Sequence, residues 1–325
     1  FIAVAQGVDE IRPSVNARQF ISALSSDVGL RTGQVIVNIP LFSLPGKGID
    51  IPISLTFNGE GITHESEASQ IGLGWSLSAG GVLTATIGGK DDRKTKKYDD
   101  IPWQYRSYYL EDLWKKQSQN PYSFNEFVSG MYAVMSRDTE PDSYQYSFLG
   151  YSGDISFKFN QVDQTKREAR FLPDSNFKII ETSLGYKIIA DNGIEYFFEV
   201  TETNKIVHDT YTTCWFLSAI KTVQEGYITF HYEDEEFYDL SFDSDRANAF
   251  GGYPLINSKR LVRINSEYGR VEFLSETRSD TGTGAKKIIN IELYNNENIL
   301  VKGYKLENVT AFANTNPFPN INWHN

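Results

Sequence analysis

Residues Ala68 to Val82 read ASQIGLGWSLSAGGV, and the fold turns on whether this stretch is a catalytic loop or a structural corner. Gly72-Leu73-Gly74 starts like a dinucleotide-binding turn, but Leu77 stands where the third glycine is needed, and no Lys-Ser or Lys-Thr pair follows to make a phosphate loop. Gly74-Trp75-Ser76-Leu77-Ser78 comes nearer to the G-x-S-x-G nucleophile elbow. Its fifth residue is Ser, however, and the next stretch, GGVLTATI from Gly80 to Ile87, alternates like a strand where the elbow requires a helix. The spacing therefore predicts a structural corner, in which the small residues Gly72, Gly74, Gly80 and Gly81 let the Trp75 indole pack beneath a tight turn between strands.

Strand signals extend outward from this corner. In IDIPISLTF, Ile49, Ile51, Ile53, Leu55 and Phe57 recur at every second position and share one face. Pro52 falls off that face and marks an edge or a strand entry. Val35, Val37 and Ile39 repeat the alternation ahead of the Gly/Pro-rich connection from Pro40 to Gly48, and DISFKF (Asp154 to Phe159) has the same character.

Hairpins follow. GYKIIADNGIEYFFEV, from Gly185 to Val200, holds Asp191-Asn192-Gly193 between two apolar runs, and these residues tolerate the positive φ of a tight turn. LSAIKTVQEGYITFHY (Leu217 to Tyr232) and LVRINSEYGRVEFL (Leu261 to Leu274) share one pattern. Leu217, Ile220, Gly226, Ile228 and Phe230 align with Leu261, Ile264, Gly269, Val271 and Phe273, with one residue of slack in the turn. KKIINIEL and ILVKGYKL read as a further pair of strands.

Between Ile101 and Arg137 the character changes. YYLEDLWKK (Tyr108 to Lys116) ahead of Pro121 suits a short helix, and Ser123-Phe124-Asn125-Glu126 has the spacing of a capping box opening a second. The predicted fold is all-β, built of packed, twisted antiparallel sheets in a sandwich-like, hairpin-built arrangement, with a helical insertion around 101–137. The predicted organisation is an N-terminal extension over 1–32, a β region with the insertion over 33–160, and a hairpin-repeat region over 161–325 packed intimately against the first. Ala3-Val4-Ala5 matches a signal-peptidase A-x-A pattern, while a short apolar start is equally a first strand.

Composition narrows the function. A chain of 325 residues buries roughly 75% of its unfolded surface and has no need of metals or disulfides to build a core. Its 19 Tyr and 21 Phe suit pleated sheets. A formal net charge of -11 repels a phosphate backbone, which argues against nucleic acid as a partner. The short basic run from Arg93 to Lys97 is flanked by acids and reads as a solvated loop. The single cysteine, Cys214, excludes an internal disulfide and a cysteine-based zinc site, and no apolar run is long enough to span a bilayer.

No catalytic residue, metal site or cofactor site emerges. Of His64, His208, His231 and His324, none has zincin spacing, and His231 alternates with strand residues as an outward-facing side chain. Glu233-Asp234-Glu235-Glu236 follows a strand and reads as a solvated turn. Asp243-Ser244-Asp245 with Asn248 lacks the glycine and bidentate glutamate of an EF-hand loop.

In this order, TGQVIVNIPLFSLPG, DIPISLTFNGEGI, the corner stretch, EPDSYQYSFLGYSGDISFKF, GYKIIADNGIEYFFEV and the two repeated hairpins resemble the N-terminal region of bacterial RHS/YD-repeat proteins, over Gly33 to about Asn308. The G-x-G-W-x-L element is also similar to one in the shell-forming B component of insecticidal toxin complexes, a more distant relative. The resemblance implies a secreted or cell-surface bacterial protein whose β-rich repeats build a hollow shell, and it supplies no catalytic residue. The chain carries no run of YD repeats, no self-cleaving core segment and no toxin domain.

The resulting expectation is a non-enzymatic structural module, the N-terminal part of a β shell or surface assembly, whose partners are other parts of a larger RHS-like polypeptide. The alternative is a module binding surface glycan or protein through exposed aromatics of the insertion, Trp103, Tyr105, Tyr108 and Trp114. A glycan-active hydrolase is the third reading.

Overall fold

The structure, a computed structural model, describes residues 10–24, 36–59, 68–88, 91, 93, 142–159, 167–206, 209–238, 253–278 and 285–307. It is an all-β fold with one helix among these residues. The insertion at 101–137, with Trp103, Tyr105, Tyr108 and Trp114, lies outside them, as do the acidic loop at 243–248 and three of the four histidines.

The described residues start with β1 (Glu10–Ile11) and α1 (Val15–Leu24), continue through β2 (Ile36–Leu44), β3 (Ile51–Asn58) and β4 (Trp75–Ser78), then enter β5 (Gly81–Gly88). After the insertion come β6 (Ser143–Phe148), β7 (Tyr151–Phe159), β8 (Arg167–Leu172), β9 (Lys178–Glu181), β10 (Tyr186–Ile189) and β11 (Glu195–Ile206). Then follow β12 (Asp209–Lys221), β13 (Tyr227–Tyr238), β14 (Leu255–Ser266), β15 (Gly269–Thr277), β16 (Lys286–Asn295) and β17 (Leu300–Lys305).

The strands β2, β3 and β4 form a three-stranded sheet, and the other strands form a sheet of 14. A single apolar core draws on both sheets: Leu44, Ile51, Ile53 and Leu77 from the small one join Leu83, Phe198, Leu217, Ile264 and Ile291 from the large one. The expected sandwich-like packing is present. Both copies of the repeated pattern are hairpins, β12 with β13 and β14 with β15, and the aligned residues Leu217, Ile220, Ile228 and Phe230, like Leu261, Ile264, Val271 and Phe273, are all buried.

Local details depart from the alternation. Ile51, Ile53 and Leu55 are buried as expected, but Val37 and Ile39 are exposed, because β2 is the outer strand of the small sheet and its core contacts come from Leu41 and Leu44 beyond a bulge at Pro40/Phe42. Pro52 stands in the middle strand of the small sheet. Its missing N–H costs nothing there, since β4 pairs with β3 only from Ser54 onward.

Four strands close a circuit. β11 pairs with β12, β12 with β13 through Ala219 to Lys221, β13 with β14, and β14 returns to β11 through Leu255 to Asn257. The first part of the predicted N-terminal extension docks at this ring: β1 adds two residues to β5, and Ala17 and Ile21 of α1 are buried with Val82, Cys214 and Phe216. No helix of the described residues is long and apolar enough to cross a membrane.

Candidate functional site

The corner quoted at the outset is where the chain leaves the small sheet and enters the large one. Trp75, Ser76, Leu77 and Ser78 form β4, paired with β3, and two residues later Gly81 starts β5, paired with β6 and β12. Gly80 lies between the strands and Gly72 lies in the turn ahead of β4. At Gly74 φ is 72°, and a Cβ there would come within 3.0 Å of the Phe57 ring and 3.1 Å of the Asn58 carbonyl. A Cβ on Gly81 would meet Phe148 Cβ at 2.4 Å. Both positions need glycine, the first for its backbone conformation and the second for close approach.

Ser69 organises the turn. Its hydroxyl donates to the Trp75 carbonyl at 2.5 Å and accepts the amides of Ile71 and Gly72 at 3.0 and 3.3 Å. The loop is tied to its surroundings by Asn16, whose side-chain oxygen accepts the Gln70 amide at 2.9 Å, by the Gln70 carbonyl, which accepts the Ile288 amide at 2.8 Å, and by Arg278, which donates to the carbonyls of Ala68 and Ser69. Trp75 itself is half-buried. It leans on Phe57 with ring centres 5.2 Å apart, so the corner is anchored by the Ser69 turn as much as by the indole.

Ser76 is 7% exposed, and its hydroxyl donates to the Thr56 carbonyl across the β3–β4 pair at 3.3 Å. Its place within a paired strand is unlike the strained turn of a nucleophile elbow. Beside the corner, α1, β4, β5, β12, β13 and β14 leave a cleft of about 30 Å³ edged by Phe20, Gln70, Val82, Phe216, Tyr232 and Leu261. That is room for a water or two and far too little for a sugar ring.

Several buried or largely buried charged groups went unread in the sequence. Arg93 is largely buried: its guanidinium donates twice to Asp91, at 2.7 and 2.8 Å, and once to the Thr212 carbonyl, and it lies over the Trp215 ring. The basic run is thus not wholly solvated, because its first residue is an anchor. The acidic run lies within β13, where Glu233 pairs with Arg260 and Asp234 with Lys259, while Glu235 is 5% exposed and accepts the Lys286 amide. The inward face of β13 shifts by one residue after Tyr232, from Ile228, Phe230 and Tyr232 to Glu235 and Phe237, and this shift turns Glu235 inward. Glu202 is fully buried in β11, and the alternation of Tyr196, Phe198, Val200, Glu202 and Asn204 was the signal that placed it inside. His231 is exposed, as expected, with Thr229 Oγ1 and Asn265 Nδ2 at 3.1 and 2.9 Å from its Nε2. Among the described residues no group of His, Cys, Asp and Glu is placed to hold a metal ion.

No family model and no curated protein sequence matches the chain. Among solved structures, the crystal structure of TcdB2-TccC3 aligns with 91% of this chain at 11% identity and a TM-score of 0.45, and the chain spans 15% of that one's length. The N-terminal domain of the effector protein SpvB from Salmonella typhimurium strain LT2 aligns with 80% of this chain and over 87% of its own length, at 9% identity and a TM-score of 0.39. The Tc holotoxin pore of Photorhabdus luminescens aligns with 89% of this chain and 13% of its own, at 11% identity and a TM-score of 0.36.

Proposed function

We propose that the chain is a non-enzymatic structural module, the N-terminal part of an exported RHS-like β shell or surface assembly. The observation that carries this reading is the order of its last strands. β14, β15, β16 and β17 lie side by side in chain order, each an antiparallel neighbour of the one before, and among the described residues β17 is the last strand of the sheet, with Leu300 and Val301 exposed at 51% and 60%. Such an edge offers unpaired backbone groups to a further strand laid down by the same rule. The resemblance of its motifs, in order, to those of RHS/YD-repeat proteins is in line with the same reading.

The test is amide hydrogen exchange of β17 in the chain alone and in the presence of an RHS/YD-repeat polypeptide. Exchange at residues 300–305 slows if the edge is continued. Unchanged exchange, or turnover of any member of a panel of glycosides and esters, overturns the proposal.

A second reading, partner contact by the insertion, is favoured by the way its roots are held. Gly88, which ends β5, and Asp142, which precedes β6, are joined by a hydrogen bond from the Gly88 amide to the Asp142 carboxylate at 3.1 Å, and Arg93, between β5 and the insertion, is pinned over Trp215. A segment carried between fixed strand ends suits recognition of a surface glycan or protein. A glycan array and a cell-surface binding assay, run with and without 101–137, separate the two readings.

A further inference from the structure

The segment Glu10–Leu24 sits on the strand ring as a peptide ligand sits on its domain. β1 adds to β5 through Glu10 opposite Gly88 and Ile11 opposite Ile87, past the last β5 residues that pair with β12 and β6, Thr84 and Thr86. α1 then lays Ala17 and Ile21, four residues apart on one helix face, against Val82, Cys214 and Phe216. Strand addition and a helix laid on an apolar floor are two recurring modes of peptide recognition, and here they follow one another within 15 residues.

Between strand and helix, the ring recognises the main chain of the segment. Glu202 and Asn204 lie two apart on β11, so their side chains share a face, and both are buried. Glu202 Oε1 accepts the Ser14 amide at 2.7 Å, and Asn204 Nδ2 donates to the Arg12 carbonyl at 2.6 Å. Pro13 stands between these two groups, also buried, and brings no N–H that would need a partner there.

The two recognising side chains are themselves held. The Ser258 hydroxyl of β14 donates to Glu202 Oε2 at 2.5 Å, and the Thr213 hydroxyl of β12 lies 3.3 Å from both Glu202 Oε1 and Asn204 Oδ1. Three strands of the ring thus fix one acceptor and one donor at the spacing of the segment's own backbone groups. Apolar residues of similar volume at such buried positions often hold a core as well or better, so a polar pair here serves selection rather than stability. It fits a segment in which a strand, a proline and a helix start follow in that order, with a small residue at the Ala17 position, which is fully buried.

We propose that the ring is a peptide-binding site for strand–proline–helix segments, filled in this chain by its own Glu10–Leu24 and able to take the same segment offered by a second copy.

The test uses the whole chain with a protease site placed between residues 25 and 35 and cut after folding. The N-terminal fragment is expected to stay with the body through gel filtration, and a fluorescent synthetic peptide of residues 10–24 is expected to replace it, as followed by anisotropy. The uncut protein should take up none. A peptide with an ester in place of the Pro13–Ser14 amide keeps its shape but lacks the N–H that Glu202 accepts. It should bind on the order of tenfold more weakly, because a buried acceptor loses its donor. A peptide carrying Ala17→Arg should not compete. Both changes lie in the peptide, so the body is the same throughout. A body that unfolds on cutting, a fragment that the peptide does not replace, equal uptake by cut and uncut protein, or an ester peptide that binds as well as its parent each overturns the proposal.

Discussion

The guanidinium carbon of Arg93 lies 4.5 Å from the centre of the Trp215 ring, while two of its nitrogens bind the carboxylate of Asp91, which is 1% exposed. Burial works against the Arg93 charge, and Asp91 more than restores it, leaving the group more firmly protonated than usual. Arg93→Ala removes the ring contact and strands a buried carboxylate, so it should cost roughly 3 to 5 kcal/mol. Changing Asp91→Asn and Arg93→Gln together should cost less, because no buried charge is left unpaired. Urea unfolding of both proteins checks the order, and equal losses would show that the ring contact, not the charge pair, carries the stability.

The insertion is expected to be dispensable for folding. β5 and β6 are antiparallel neighbours with Thr86 opposite Ser143, so the strands it joins already lie side by side. Replacing 101–137 by a short Gly/Ser linker should keep a single cooperative unfolding transition and the far-ultraviolet spectrum of a β protein. Loss of cooperativity would place the insertion's aromatics in the core.

In the β10–β11 turn, Gly193 has φ of 80°, and a Cβ there would come within 3.0 Å of Val223 Cγ2 in the neighbouring β12–β13 turn. Gly193→Val should therefore destabilise by about 1 to 2 kcal/mol through backbone strain, with the Val223 contact adding to it. Gly193→Val made in a Val223→Ala background separates the two causes: a cost that persists there is backbone strain.

Hairpins were legible because each carries its evidence locally. The Leu217 and Leu261 repeats declare their buried face and their turn within one short window, and the structure buries every aligned apolar residue. The ring was not legible, since the β11–β14 pairing that closes it joins Asn204 to Ile256, and no local pattern encodes so distant a register. α1 left a signal that strand periodicity obscured: Ser14 precedes Val15, Ala17, Phe20, Ile21 and Leu24, a helical spacing behind a capping residue whose hydroxyl lies 3.4 Å from the Ala17 amide. Arg93 was misread for a different reason. Local charge density predicts solvation, and only the fold brings Trp215 and the Thr212 carbonyl to its guanidinium.

At the corner, Trp75 and Ser76 are expected to act through packing and backbone satisfaction. A fully buried indole lost to alanine costs about 3 to 5 kcal/mol, but Trp75 is half-buried against Phe57, so Trp75→Ala should fall nearer 2 kcal/mol. Ser69→Ala removes the hydroxyl that serves the Trp75 carbonyl and two turn amides, and should cost about as much as the whole indole. Ser76→Ala leaves one buried carbonyl, that of Thr56, without its side-chain donor. The carbonyl keeps its place in the strand pair, so the loss should be about 1 kcal/mol or less. The three variants are ranked by urea melts, and the wild type is treated alongside with a fluorophosphonate serine probe. A Ser69→Ala loss well below that of Trp75→Ala would make the indole the principal anchor. Stoichiometric labelling that vanishes in Ser76→Ala would turn the corner into a nucleophile elbow, because a hydroxyl donating across a paired strand has no base to activate it and should stay inert.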